Sequence, residues 1–562
     1  MKKRIVVLMS CAMLICGIAQ ADVTMPTMFS DHAVLQRNML VPVWGTASAG
    51  EEVTVKFDVQ QIKTTANENG DWMVTLDRMK ANSSPGDMVI EGNNTITITD
   101  VLVGEVWVGS GQSNMFNPLS GDCDAPTAIP DSGNYIIRFF NVGSGVPDGT
   151  VWEVSSPETS PSFSAVHFYY GRHLAENLPG VPIGLIHSAV SATAIERWAT
   201  CAGSGGLYLD QIMPLQPYAI RGVTWYQGEW DSRSAKDSEK YYWQMPCLIH
   251  EWRNDWGQDP LNFPFYIVQM PKMGISSIHI VRDAELQTAL DDPKVEMIVT
   301  IDNPGRDVHP PCKELFGVRL AFLARKFEYG HSLDARSPFY NAATSYVAGD
   351  TIGVVFDDVA DGLQSSDGAL EEWEIAGSGG SYVAADAVIV SNDTVEVSSP
   401  FVPSPVSARY AFSTNPAANN LINSAGLPAS PIREVTPGSS GPVCGDANCD
   451  PGEDQCNCAS DCGAPSATET NCSDGIDEDC DTGTDCDDAD CLGDPACFTC
   501  TPSPEVCEDG VDNDCDELID CFDPDCNFDP GCPTCKPKGA ACTDNADCCS
   551  SRCLPAGKCA NK

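Results

Sequence analysis

Three residue types in this chain stand where they could carry out covalent chemistry. Ser113 lies in GSGQSNM at 109–115, directly after the apolar run VLVGEVWV. A serine hydroxyl is a poor nucleophile until a neighbouring base takes its proton. His309, in GRDVHPPCKELFG at 305–317, is placed for that task, between an apolar strand and a helix whose first turn is marked by prolines. Asp307, two residues earlier, could hold the imidazole and stabilise its protonated form, or could simply cap the helix. Asp302 is a weaker rival for the same role. The chain order Ser…Asp…His, with the last two almost adjacent and no G-x-S-x-G, argues against an α/β-hydrolase.

These residues need elements that bring them together. Between about 106 and 335, apolar strands such as VWVGSG, PIGLIHSAV, IRGVTWYQ, FPFYIVQM and VEMIVTID alternate with helical stretches. That alternation predicts an α/β layer with a mainly parallel sheet. Functional groups of such sheets gather at the carboxyl ends of the strands. Four motifs stand at such ends: Ser113-Asn114, Ser191-Ala192-Thr193, Gln227-Gly228-Glu229, and the stretch from Asp302 to His309. A lone serine turn would predict no such convergence. Residues 22–105 and 336–434 read instead as short alternating strands with turn punctuation, predicting two β-sandwich-like domains around the α/β unit.

GEVWVGSGQSNM, IRGVTWYQGE and DVHPPCKELFGVRLA resemble the sequence blocks of the sialate O-acetylesterase family, within the SGNH-type esterases. The likeness extends to SDHAVLQRN and VPVWGTASAGEEVTV near the start, and to ARYAFSTNP and LINSAGLPASP at 408–431, so it covers about residues 22–434. The resemblance implies a three-layer SGNH-type hydrolase domain that removes acetyl esters from sugars, without a metal or organic cofactor for catalysis. Carried over by position, Ser113 is the nucleophile of an acyl-enzyme mechanism, His309 the general base and acid, and Asp307 its partner. The usual spacing places Asp three residues before His, where this chain has Arg306. The resemblance also suggests an oxyanion hole made by the Ser113 N–H, an N–H of the Ser191 block and the Gln227 side chain, with Asn114, Gly228 and Glu229 beside it. Glu229 is expected to orient neighbouring loops rather than act as base.

The chain departs from that pattern twice. Ser191-Ala192 replaces a glycine pair, and Trp230-Asp231 follows Gln-Gly-Glu where a small residue and Asn are usual. Both changes predict an altered substrate shape. They also keep open a second reading, a non-catalytic glycan-binding or surface-display protein on the same scaffold.

Composition adds the setting. MKKR, an apolar stretch and Ala19-Gln20-Ala21 read as a secretory signal over residues 1–21, and no later segment looks transmembrane. A net charge of −47 argues against nucleic-acid partners. Twenty-two of the 28 cysteines lie beyond residue 443, which in an exported chain reads as a disulfide-rich tail. A linker at 435–443, around TPGSSGP, precedes that tail at 444–562. Within it, NCSDGIDEDCDTGTDCDDADC at 471–491 recurs as VCEDGVDNDCDELIDCFDPDC at 506–526, a duplicated unit. Asp474, Asp477, Asp479 and Asp481, and again Asp509, Asp512, Asp514 and Asp516, offer carboxylates at spacings that suit Ca²⁺. The alternative is a solubilising acidic linker stapled by disulfides.

Overall fold

The structure is a computed structural model that describes residues 22–142, 150–257, 263–305 and 307–437. The signal segment, the tail and its eight Ca²⁺-candidate aspartates lie outside the described residues.

Seven strands build the central sheet: β1 (Thr95–Gly111), β2 (Ile137–Asn141), β3 (Glu153–Val154), β4 (Ile183–Ala189), β5 (Gly222–Tyr226), β6 (Phe265–Val268) and β7 (Val295–Ile298). Their order is β7-β6-β5-β1-β4-β2-β3, and all pairs are parallel except β3, which runs antiparallel on β2. Every residue of β4, β5, β6 and β7 is buried, the mark of a parallel sheet covered on both faces. The helices are α1 (Ser113–Phe116), α2 (Ala125–Asp131), α3 (Ala165–Asn177), α4 (Ala235–Trp256), α5 (Ile278–Asp291) and α6 (Glu314–Phe327). Trp107 on β1 meets Tyr170 of α3, whereas Trp225 on β5 meets Trp252 of α4. Trp225 is in register with Ser110, three residues on from Trp107, so the two indoles point to opposite faces. With α3 packed on α6 and α4 on α5, one helix pair covers each face, the expected three layers.

The N-terminal β-region is joined to this sheet more closely than its composition suggests. Strand β1 runs 17 residues without a break through position 105/106, where the strand pattern led us to divide the chain. Its first half pairs with Asn82–Glu91 and its second with β4 and β5. A single hydrophobic core accordingly runs from Val23 to Phe339. The region 339–435 has its own core, centred on Ile352, Val354, Trp373, Ile375 and Tyr410 between two four-stranded sheets. Among the described residues no helix is long and apolar enough to cross a membrane.

Candidate active site

Strand β1 ends in an elbow rather than an ordinary turn. Gly111 holds φ at 136°, and a Cβ built there would lie 2.1 Å from the carbonyl oxygen of Tyr226. Only glycine lets β1 approach β5 that closely while the chain swings out of the sheet. The Gln112 N–H donates to the same carbonyl at 3.0 Å, Gln112 caps α1, and Ser113 becomes its first residue. The N–H groups of a first helical turn have no intrahelical acceptor, so that of Ser113 is available to an anionic oxygen beside its own hydroxyl.

His309 reaches this hydroxyl: its Nε2 lies 2.8 Å from Ser113 Oγ. The two residues are 196 apart in sequence, and several ties hold their segments together. The Asn114 side chain donates to the Val308 carbonyl at 2.8 Å, and Lys313 Nζ donates to Asn114 Oδ1 at 2.5 Å. The Lys313 N–H donates to Asp122 at 2.7 Å, the Cys123 N–H donates to Pro311 at 3.0 Å, and Cys123 is disulfide-bonded to Cys312. The histidine loop is thereby fastened on both sides of His309 to the segment that follows Ser113. Burial, and then the Lys313 ammonium, lower the pKa of His309 below its usual value. The ring is therefore neutral at neutral pH, the form that can accept a proton.

The expected third residue is placed differently. Asp307 is exposed, and among the described residues no hydrogen bond or ion pair joins it to His309. Asp302 is engaged elsewhere, receiving the Arg319 guanidinium on both oxygens at 2.8 and 2.5 Å. In sequence, the two-residue step from Asp307 to His309 looked short enough for a contact. In the folded loop the backbone ties to Asn114, Asp122 and Cys123 set the position of His309 instead.

Gln227 is also placed differently from the expected oxyanion donor. It is fully buried, and its amide nitrogen faces Asp231 at 2.6 Å, the Thr193 carbonyl at 2.9 Å and Gln112 at 3.1 Å. Two N–H bonds already have three acceptors, which leaves none for a substrate. Gln227 instead binds the three loops to one another, while the Tyr241 hydroxyl donates to the Gln227 backbone carbonyl at 2.7 Å and lies 3.1 Å from its side-chain Oε1. Asp231, with its pKa pushed up to about 6 by burial, also accepts the Ile195 N–H at 3.2 Å. Gly228 packs between Met270 and Val281, and its carbonyl receives the Ser232 hydroxyl at 2.7 Å. Glu229 is buried and bonded to the Asn114 side chain. Burial pushes its pKa up to about 7, and Asn114 and Lys313 oppose that shift. Its partner is Asn114 rather than Ser113, which fits an orienting role.

The Ser191 block lies beside the elbow, because the Val190 N–H donates to the Gly111 carbonyl at 3.1 Å. Ser191 is exposed, and Ala192 adopts φ 58°, the left-handed region that an L-residue enters only at a cost. Ala192→Gly is therefore expected to raise stability by about 0.5–1 kcal/mol, after allowing for the extra freedom of glycine in the unfolded chain. Urea unfolding measures this, and a loss of stability would show that the turn is not left-handed.

A cavity of about 300 Å³ opens at His309, lined also by Asn117, Pro118, Asp122, Ala165 and Lys313. Lys313 and Asp122 were not singled out from sequence, although Lys313 lies within the same DVHPPCK block as His309. Four cysteines outside the signal and the tail, an even number in a chain read as exported, were the available signal for Cys123–Cys312 and Cys201–Cys247.

The carbohydrate esterase, sialic acid-specific acetylesterase family model matches residues 103–313. Sialate O-acetylesterases from Homo sapiens and Mus musculus are 27% and 26% identical, each over 51% of this chain and over 67% and 70% of their own lengths. The crystal structure of a carbohydrate acetylesterase from Xanthomonas citri superimposes with a TM-score of 0.68 at 32% identity, covering 73% of this chain and 99% of that one. The chain belongs to the sialic acid-specific acetylesterase family of carbohydrate esterases. It is an acetylesterase, and so a carboxylic-ester hydrolase. The family-model match includes both Ser113 and His309 and ends at Lys313, the residue that ties the histidine loop to Asn114.

Proposed function

We propose that this acetylesterase removes O-acetyl groups from sugars outside the cytoplasm through an acyl-enzyme on Ser113. The observation that carries the reading is the 2.8 Å contact between His309 Nε2 and Ser113 Oγ at the carboxyl edge of the sheet. His309 takes the hydroxyl proton as Oγ attacks the acetyl carbonyl, then returns it to the departing sugar oxygen. The Ser113 N–H and an N–H of the 190–193 turn receive the developing negative oxygen, with Gln227 holding their loops in place. Water then attacks the acetyl carbonyl as His309 takes its proton, and His309 passes that proton to Oγ as the bond to Ser113 breaks and acetate leaves. The two disulfides among the described residues and the basic, apolar N-terminus support an exported enzyme. Acetate release from a panel of O-acetylated sialic acids, xylosides and hexosides tests the substrate class. Turnover of none of them, alongside turnover of simple acetyl esters, would remove the sugar from the proposal.

Asp307 would have to swing towards His309 Nδ1 to act as its partner. Asp307→Asn is accordingly expected to lower kcat/KM by less than about tenfold, against about 10⁴-fold where a carboxylate is bonded to the catalytic imidazole. A loss of the larger size would mean that the loop closes Asp307 onto His309 during turnover.

A further inference from the structure

Of the eleven tryptophans, only Trp230 and Trp243 are exposed, and Trp230 directly follows the Gln227-Gly228-Glu229 block at the sheet edge that carries Ser113. It follows Glu229, which is bonded to Asn114, and its own N–H donates to Gln112 at 3.2 Å. The residues flanking Ser113 on either side thus fix the backbone that carries this indole. The ring itself is held as well. Arg233 lies three residues on, across one turn of a short 3₁₀ helix, and its guanidinium stacks 3.7 Å from the ring centroid. That turn is anchored at Ser232, whose N–H and hydroxyl both donate to the Gly228 carbonyl, at 3.0 and 2.7 Å, and whose carbonyl accepts the Ser277 N–H at 2.9 Å. An indole that is 37% exposed would ordinarily be free to turn; this one is fixed from both ends of its turn. A second exposed aromatic, Phe116 at 49%, lies three residues after Ser113.

A pyranose ring has faces of C–H bonds, slightly positive, that stack on the negative face of an aromatic ring, while its hydroxyls point outward to polar partners. A fixed indole with a guanidinium beside it offers both. We propose that Trp230 is the stacking platform for the sugar ring of the acetylated substrate, with Arg233 holding the indole in place. Trp230 is then the residue by which this esterase distinguishes an acetylated sugar from a simple acetyl ester. The inference rests on the sugar reading of the function.

The test compares two substrates, an O-acetylated methyl glycoside and ethyl acetate, with wild type, Trp230→Ala, Trp230→Phe and Arg233→Ala. Trp230→Ala should lower kcat/KM on the glycoside by about 10–100-fold, mainly through KM, and leave ethyl acetate within twofold. Trp230→Phe should recover most of the loss, and Arg233→Ala should give a smaller loss of the same kind. Equal losses on both substrates would assign Trp230 to the fold of the catalytic loops and overturn the platform. No loss on the glycoside would overturn it as well, with the sugar reading intact. A wild-type enzyme that cleaves ethyl acetate and no acetylated sugar would overturn both together.

Discussion

Ser113→Ala and His309→Ala each lower kcat/KM for acetyl-ester hydrolysis by about 10⁴-fold or more, and the double variant is scarcely worse than either alone. The two residues act as one unit: without the hydroxyl there is nothing to acylate, and without the imidazole the hydroxyl keeps its proton. Neither change should disturb the fold, since Ser113 is tied into α1 through its backbone and His309 is exposed. Melting curves of the variants should overlay that of the wild type. The wild-type pH profile adds a second readout. Activity requires neutral His309, whose pKa lies below its ordinary value, so kcat/KM should stay level from neutral pH downward and fall only below about 6.5. Additive losses in the double variant, or an acid limb well above that pH, would place the base elsewhere.

Gly111→Ala should be the most damaging small change outside those two residues. The added methyl would meet the Tyr226 carbonyl at 2.1 Å, and alanine is strained at φ 136°. Overpacking against a backbone atom and an unfavourable φ each cost about 1–3 kcal/mol, so a loss of about 2–6 kcal/mol is expected. The strain falls on the Gln112–Tyr226 hydrogen bond and therefore on the direction of α1 and of the Ser113 hydroxyl. Activity should fall further than the folded fraction does. Gly206→Ala, where a Cβ meets nothing within 4 Å and φ is not positive, is the control and should leave the rate unchanged and the stability unchanged or slightly raised. A Gly111→Ala protein with wild-type stability would mean that the strand and elbow can separate without cost.

Residue types and their periodicity specify the chemistry on offer and the elements that carry it. Apolar strands alternating with helical stretches specify a parallel sheet, because a strand buried on both faces must be apolar throughout, and β4 through β7 are so. A parallel sheet in turn sends Ser113, Ser191, Gln227 and the His309 loop to one edge, since every crossover returns the chain in the same direction. The four strand-end motifs were legible for the same reason: each is a short run whose residues serve one strand end.

Contacts between residues far apart in the chain emerge only on folding. Gln227 and Glu229 sit two residues apart in the sequence, where the first reads as an oxyanion donor and the second as an orienting residue, yet burial gave Gln227 three acceptors and Glu229 a bond to Asn114. Asp307 is two residues from His309, yet among the described residues no hydrogen bond or ion pair joins them, while Asn114, almost two hundred residues away, holds the neighbouring Val308 carbonyl. The division placed at 105/106 failed to show that β1 is one strand, because period-two alternation and a continuous apolar run can follow each other along a single extended segment. Periodicity records which face of an element is buried. Which partner waits there depends on how the loops close over the sheet edge, and a local pattern of residues holds no information on that distance.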